Sequence, residues 1–283
     1  MSLPAHAGKI ETIWYYTFRV LCGFIFFFLI APIVIIIPLS FNSVPFFTFT
    51  SEMLSLDPAG YSLKWYQDFF TDLNWQGAVK NSFIIAIFST LISTTLGTIA
   101  ALGLSRSEMP AKTVVMGILI SPMIVPLIIS AAGMFFFYTN IGLASTHVGV
   151  ILAHAALATP FVVIVVTATL VGFDQSLIRA AATLGASPVV TFFKVIVPLI
   201  LPGVISGALF AFVTSFDEVV VVKFVGSYEQ RTIPWAMFSG IREQISPTIL
   251  AVATMLIILS ASLLATLELL RRRNERLRGM SPG

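Results

Sequence analysis

The residues of this sequence best suited to binding a charged solute are two adjacent acids, Asp217 and Glu218, within an otherwise apolar stretch. The neighbouring residues, 209–213 and 219–222, are all apolar. A charged side chain at the centre of a bilayer costs about 2.5–3.5 kcal/mol, so such acids need a partner or a water-filled cavity. We predict that at least one of them lines a solute pathway and attracts a cation. The alternative is that both lie near the outer surface and that one of them pairs with Lys223.

Aromatic and histidine side chains offer further candidate chemistry. Four consecutive aromatic residues occupy positions 135–138, and Phe137 and Tyr138 are predicted to contribute cation–π contacts to the same pathway. Because four consecutive residues surround a helix, most of this group is expected to face lipid or other helices. His147 and His154 lack a nearby carboxylate cluster, and we interpret them as packing residues.

The patterns typical of enzymes are missing from the sequence. It contains no H-E-x-x-H motif and no G-x-x-x-x-G-K-[ST] phosphate loop. The single cysteine, Cys22, cannot form an internal disulfide or a metal cluster. We therefore predict a non-catalytic chain with no cofactor or metal of its own. The net charge of +3 does not indicate a nucleic-acid partner.

Composition indicates that the chain lies in a lipid bilayer. Hydrophobic residues make up 57% of the 283 positions and charged residues only 10%, whereas a soluble domain carries roughly a quarter. A bilayer core of about 30 Å requires about 20 helical residues, and backbone polar groups in lipid must be paired within the helix. We predict an all-α membrane protein with one transmembrane domain over residues 1–283. Its six predicted spans are 20–39, 81–104, 113–138, 148–173, 195–222 and 248–270.

The distribution of basic residues predicts the orientation. If the N-terminus is cytoplasmic, eleven of the sixteen lysines and arginines lie on the inner side, including five arginines after the last predicted span. Cytoplasmic loops of membrane proteins carry such an excess of basic residues. Both termini are therefore predicted to be cytoplasmic.

The inner loop at 174–194 is organised as short capped helices. Asp174 or Ser176 can accept hydrogen bonds from free backbone N–H groups and so begin a helix. Gly185 follows where the chain must leave that helix in a left-handed conformation, and Ser187-Pro188 begins the next helix. Leu177, Ala181 and Leu184 form an apolar face on the predicted helix 174–185. This face packs either on the chain's own spans or in a groove on a soluble partner.

The same loop resembles a known motif. Its residues follow the pattern Arg179-Ala180-Ala181-x3-Gly185-x9-Val195-x-Val197-Pro198. This pattern is similar to the EAA motif, E-A-A-x3-G-x9-I-x-L-P, of permease subunits of binding-protein-dependent ABC importers. The valines keep the apolar character of the motif. Arg179 stands where the family has glutamate, so no ion pair of that glutamate carries over.

The resemblance implies a type I ABC importer permease fold in the bacterial inner membrane. In this family the loop is a coupling helix that enters a cleft of the ATPase subunit. The implied ATPase-coupling residues are Arg179, Ala180, Ala181, Leu184, Gly185 and Pro198. The implied partners are a second homologous permease, an ATPase dimer and an extracytoplasmic substrate-binding protein.

Further segments resemble the spermidine/putrescine branch of the family. They are residues 215–221, 231–234, 238–242 and 245–247. This resemblance implies alternating-access import of a small cationic solute, a polyamine. Import of another amino compound, such as an opine, remains an alternative. An ion-coupled secondary transporter agrees less well, because it usually has inverted repeats and more charge within the membrane.

Overall fold

The computed structural model describes residues 8–106, 108–171, 174, 176–243 and 246–277. Residues 172–173 of the predicted fourth span, Gln175 of the predicted coupling helix and Arg278 of the basic tail lie outside the described residues. The helices are α1 (Lys9–Leu39), α2 (Ser51–Leu54), α3 (Lys64–Thr71), α4 (Leu73–Leu104), α5 (Lys112–Ile124), α6 (Leu127–Asn140), α7 (His147–Val171), α8 (Ser176–Thr183), α9 (Pro188–Thr191), α10 (Val197–Phe216), α11 (Val220–Val225), α12 (Ile233–Glu243) and α13 (Thr248–Leu277).

The all-α prediction is confirmed. Within the described ranges the chain forms helices and turns without a strand, apart from one isolated antiparallel bridge between Asn42 and Tyr61. In the described part of the chain, four helices are long and apolar enough to cross a membrane, namely α1, α4, α7 and the continuous helix 188–216. The pair α5 and α6 would form a fifth span if counted as one. In α13 the described apolar part is Thr248–Ser262, so the count of six spans remains a prediction.

The chain divides into two compact units. The central unit is formed by residues 73–239, and the terminal unit by residues 1–72 with 240–283. In the terminal unit α13 contacts both α1 and α3. The predicted aromatic outer segment contains the short helices α2 and α3, and Trp65 of α3 is buried there, with its indole N–H donating to the Asn42 carbonyl at 2.6 Å.

Close packing around α7 organises the central unit. Helices α4 and α10 both pack on α7, and each presents a buried small residue at every fourth position. These residues are Ser89, Ser93, Gly97 and Ala101 on α4, and Gly203, Gly207, Ala211 and Ser215 on α10. Small residues let helix backbones approach closely in membrane proteins, where packing replaces the hydrophobic effect as the driving force.

The fit is tightest around Val162 of α7. A Cβ atom added at Gly97 would lie 2.6 Å from the Val162 Cβ, and one added at Gly207 would lie 3.3 Å from the Val162 Cα. Val162 is therefore held between glycines of two different helices.

The predicted third span, 113–138, is wrong as a single helix. The structure divides it into α5 and α6, which meet at an angle of 100°. Val125 is extended (φ −68°, ψ 134°), and Pro126 follows it immediately before α6. A proline disfavours helical backbone at the preceding residue and cannot donate a helical hydrogen bond, which accounts for the break.

The bounds of the predicted fifth span, 195–222, also need correction. Helix begins at Pro188 and continues through one π-helical turn, Phe192–Ile196, to Phe216. Residues 220–222 belong to the separate helix α11. Hydropathy alone predicted a single span because the residues on both sides of the acids are apolar.

Candidate functional sites: the coupling segment and the acidic break

Residues 174–190, which we call the coupling segment, begin with a side-chain cap. The Asp174 carboxylate accepts hydrogen bonds from the backbone N–H (2.8 Å) and the hydroxyl (2.7 Å) of Ser176. The bond from the hydroxyl, followed by the bond from the N–H, holds the pKa of Asp174 below its ordinary value. Asp174 is therefore a carboxylate at neutral pH and caps α8, as one of the two sequence alternatives predicted.

Gly185 ends α8 in the predicted left-handed conformation, with φ +79°. The N–H of Ala186 donates to the Ala181 carbonyl at 3.0 Å, and the N–H of Gly185 donates to the Ala182 carbonyl at 3.0 Å. This pair of bonds is a Schellman motif, which satisfies carbonyls at the helix end. An added Cβ at Gly185 would meet nothing within 4 Å, so the backbone conformation, and not space, favours glycine.

The next helix begins at the residues that the sequence predicted. Ser187 precedes α9, and its hydroxyl accepts from the Val190 N–H at 3.4 Å. Pro188 occupies the first turn of α9, where a backbone N–H would have no acceptor within the helix, so its absence costs no hydrogen bond. The turn between α8 and α9 is thus fixed by contacts within a few residues of itself.

Most of the coupling segment is exposed. Arg179, Ala180 and Gly185 are exposed, and Leu184 is 87% exposed, whereas Ala181 is buried. The predicted apolar face of α8 is therefore divided, with Ala181 packed inward and Leu184 directed to the surface. Among the described residues, the segment is not enclosed by the spans of its own chain. Pro198, also exposed, lies at the second position of α10.

Asp217, Glu218 and Val219 form the interruption between α10 and α11, which we call the acidic break. The N–H of Asp217 donates to the Val213 carbonyl at 3.0 Å and closes α10, while its side chain is exposed. The half-buried carboxylate of Glu218 accepts from the Val221 N–H at 2.9 Å and caps α11. The ammonium of Lys223, the alternative partner for the acids, lies 5.2 Å from the centroid of the Phe238 ring.

Comparison with known proteins identifies the family. Residues 93–276, well over half of the chain, match the family described as "Binding-protein-dependent transport system inner membrane component". The chain belongs to this family. It is a transmembrane permease of the ABC importers, and its helical fold is the type I permease fold.

Individual relatives agree with this assignment. The permease is 32% identical over 250 residues to the "Spermidine/putrescine transport system permease protein PotC" of Haemophilus influenzae, covering 88% of this chain and 94% of that protein. It is 31% identical over 239 residues to the "Putrescine transport system permease protein PotI" of Escherichia coli, covering 82% of each. A crystal structure of a bacterial ABC transporter involved in alginate import has the same fold (TM-score 0.72, 16% identity, covering 94% of this chain and 99% of that one).

Tertiary contacts of the permease hold the acidic break on both sides. Before the break, a 2.9 Å hydrogen bond joins Ser215 Oγ to Nδ1 of His154, which is only 1% exposed, and the Phe216 ring packs edge-on against Phe83 of α4. After the break, the α11 residues Val221 and Val222 are fully buried in a core cluster shared with α6 and α7. Asp217 and Glu218 therefore lie between the end of α10, which is held by α4 and α7, and the start of α11, which is packed in the core.

The two predicted pathway aromatics lie in different environments. Tyr138 of α6 is buried in the same core cluster as the α11 valines, whereas Phe137 is 60% exposed. Phe137 and Asp217 are thus both exposed, whereas the Tyr138 ring is buried.

Sequence reasoning missed the role of His154 and Ser215. The two residues are 61 positions apart and belong to different helices, so no local pattern links them. The signal that could have indicated Ser215 is its place in the series of small residues at every fourth position of α10. His154 was interpreted as a packing residue, and the structure adds its hydrogen bond to the residue two positions before Asp217.

Proposed function

We propose that this permease imports a small cationic solute, a polyamine such as putrescine or spermidine, across the bacterial inner membrane. The observation that carries the proposal is the exposed Asp217 carboxylate at a fixed interruption between two apolar helices. A carboxylate that lines a solute pathway across the membrane is suited to a cationic solute. The names of the two relatives above support the same class of solute.

Transport would occur by alternating access and would be driven by a separate ATPase. The ATPase dimer would bind the coupling segment, and the contact would involve Arg179, Ala180, Ala181, Leu184 and Gly185. Pro198 would lie in the first turn of α10, the helix that follows the segment. The exposure of Leu184 and the rigid caps of α8 support this role. ATP and Mg²⁺ would be bound by the ATPase.

The complete transporter would contain a second homologous permease and an extracytoplasmic binding protein. The family description, which names a binding-protein-dependent system, supports the second of these partners. The entire chain, residues 1–283, would act as one transmembrane domain with six spans. Both termini and the coupling segment would be cytoplasmic, and the beginnings of α4 and α7 would lie at the outer side. The distribution of basic residues supports this orientation.

Uptake into proteoliposomes containing the complete transporter tests the proposal. We expect ATP-dependent uptake of labelled putrescine or spermidine, and a rise in KM in Asp217→Asn. Asp68→Asn, which removes an acid from α3, is the control and should leave uptake unchanged. Glu218→Gln keeps a side-chain oxygen that can accept from the Val221 N–H and should have a smaller effect than Asp217→Asn.

Uptake of an opine with no uptake of either polyamine would contradict the solute assignment. Normal uptake in both acid variants would show that the acidic break does not line the solute pathway.

A further inference from the structure

A pocket of about 320 Å³ lies in the central unit and shares no lining residue with the coupling segment or the acidic break. It lies where the first turns of α4 meet the loop 226–231, which joins α11 to α12. Its polar lining consists of Asn74 and Asn81 from α4 and of Tyr228, Glu229 and Arg231 from the loop. We call it the α4–loop pocket.

The walls of the α4–loop pocket are fixed by hydrogen bonds. The side-chain amide of Asn81 donates to the carbonyls of Glu229 (2.7 Å) and Arg231 (3.0 Å), while its oxygen lies 3.0 Å from Nε2 of His147. The Tyr228 hydroxyl donates to Oδ1 of Asn74 at 2.7 Å. The shape of the pocket is therefore established before any ligand arrives, which reduces the entropy cost of binding.

The loop is also fixed internally. Gln230 is buried, and its side-chain oxygen accepts from the backbone N–H (2.9 Å) and the hydroxyl (2.8 Å) of Ser227. This reciprocal capping arrangement holds the residues on both sides of Gln230 in place. Glu229 and Arg231 are consequently presented from a rigid turn.

Among the described residues, the Arg231 guanidinium in the pocket has no carboxylate partner. The Arg231 guanidinium lies 5.5 Å from the centroid of the Tyr228 ring, and its Nη2 donates to the Ala236 carbonyl at 3.4 Å. Its Nε atom is buried and has no hydrogen-bond partner among the described residues. Neither contact is with a carboxylate, and the guanidinium is half-buried. A guanidinium in a preformed pocket is well suited to a planar carboxylate, which it can bind with two parallel hydrogen bonds.

We propose that the α4–loop pocket receives an acidic side chain of the extracytoplasmic binding protein and that Arg231 is its ion-pair partner. The inference rests on the proposed function, which places the beginning of α4 on the outer side. The family description states that transport depends on a binding protein, so a protein must dock on that side. A cationic solute would be repelled by Arg231. The exposed Glu229 beside Arg231 would repel an acidic side chain of the binding protein that approached in the wrong position, and would thereby restrict how the binding protein docks.

Titration of the purified transporter in lipid nanodiscs with its binding protein tests the proposal. ATP hydrolysis is measured against the concentration of binding protein. We expect Arg231→Gln to raise the half-maximal concentration roughly tenfold without changing the maximal rate, because one member of an ion pair is removed. The half-maximal concentration should also depend less on salt. Lys80→Gln, which removes an exposed cation from the same end of α4, is the matched control and should behave like the unmodified transporter.

Two further variants give independent readouts. Arg231→Lys keeps the charge but loses the bidentate geometry, so it should lie between the unmodified chain and Arg231→Gln; it also provides a measurement if Arg231→Gln does not assemble. Glu229→Gln should lower the half-maximal concentration, because it removes repulsion of the incoming acid.

Three outcomes would overturn the inference. Equal half-maximal concentrations for Arg231→Gln and Lys80→Gln would exclude an ion pair at this pocket. Tighter docking in Arg231→Gln, together with weaker docking in Glu229→Gln, would show that the occupant is a cation. If the binding protein fails to stimulate the unmodified transporter, the proposed function itself is wrong, and the inference falls with it.

Discussion

The coupling segment and the acidic break are both interruptions between apolar helices, yet different parts of the chain hold them in place. In the coupling segment, Asp174 bonds to Ser176, Gly185 to Ala182, and Ser187 to Val190, all within three residues. At the acidic break, Ser215 is held by His154 and Phe216 by Phe83, across 61 or more positions. The bonds of the coupling segment join residues close in sequence, whereas the contacts of Ser215 and Phe216 at the acidic break form only when α4, α7 and α10 pack together.

This difference agrees with the two proposed roles. A segment that a partner grips benefits from a rigid local shape and an exposed surface. A site that lines a solute pathway must instead be positioned relative to several helices. Changes to the packing around α7 should therefore affect the acidic break, and changes to the caps of α8 should affect only coupling.

The largest expected effect comes from filling the contact between α4 and α7. Gly97→Val would place a Cβ atom 2.6 Å from that of Val162, and we expect this overpacking to lower the free energy of unfolding by about 3 kcal/mol. Thermal unfolding in detergent or nanodiscs measures the change. Gly103→Val on the same helix has the same propensity cost, but its added Cβ meets nothing within 4 Å. Equal destabilisation in both variants would show that the close approach of the two helices is not the cause.

The next effect concerns coupling. Gly185→Val forces a branched residue into the left-handed region, at a cost of about 1–2 kcal/mol, and should reduce the amount of solute transported per ATP hydrolysed. Gly142→Val is the control, because Gly142 has a similar φ of +73° and equally open surroundings outside the coupling segment. If both variants uncouple transport equally, backbone strain in general is responsible, and the comparison between the two regions fails.

A smaller effect should arise at the acidic break. Ser215→Ala removes the interhelical bond to His154, and such bonds contribute about 0.6–1.7 kcal/mol within membranes. We expect a higher KM for the solute at an unchanged ratio of transport to ATP hydrolysis. Ser206→Ala on the same helix loses only a local bond to the Pro202 carbonyl and serves as the control. A changed coupling ratio with a normal KM would reverse the roles assigned to the two regions.

The smallest effect concerns the cap of α8. Asp174→Ala should lower the coupling ratio roughly twofold, and Asp174→Asn should lower it less, because the amide oxygen can still accept from the Ser176 N–H. Thr183→Ala, which loses only a local bond to the Arg179 carbonyl, is the control.

The sign of the pH dependence follows from the lowered pKa of Asp174. Stabilisation by this group is complete above the ordinary pKa of about 4 and is lost as the pH falls through the lower folded value. The coupling ratio of the unmodified transporter, measured against pH, should therefore not change between about pH 5 and pH 8 on account of this residue. A loss in that range that is absent from Asp174→Asn would contradict this assignment.

The same division explains which structural features the sequence could predict. The caps at Asp174, Gly185 and Ser187 were predicted correctly because each depends on residue types only a few positions apart. The division between α5 and α6 was missed, although Pro126 is visible in the sequence, because hydropathy averaged over a span does not register one extended residue. The end of α10 at Phe216 was missed for the same reason.

The partners of the acidic break were beyond prediction from local patterns. Nothing near His154 indicates that its ring meets Ser215, since that contact depends on the register between α7 and α10. The register is encoded, although weakly, in the buried small residues that recur every four positions on α4 and α10. Such a repeat indicates a helix–helix interface but does not name the partner helix.

The position of Val162 between Gly97 and Gly207 has a mechanical consequence. The Val162 side chain, packed between two helix backbones, resists sliding of α7 along its axis, because such sliding would press the Val162 methyl groups against α4 or α10. We therefore expect α4, α7 and α10 to tilt as one rigid body during the transport cycle. A movement of their inner ends, imposed by the ATPase, would then move their outer ends as well.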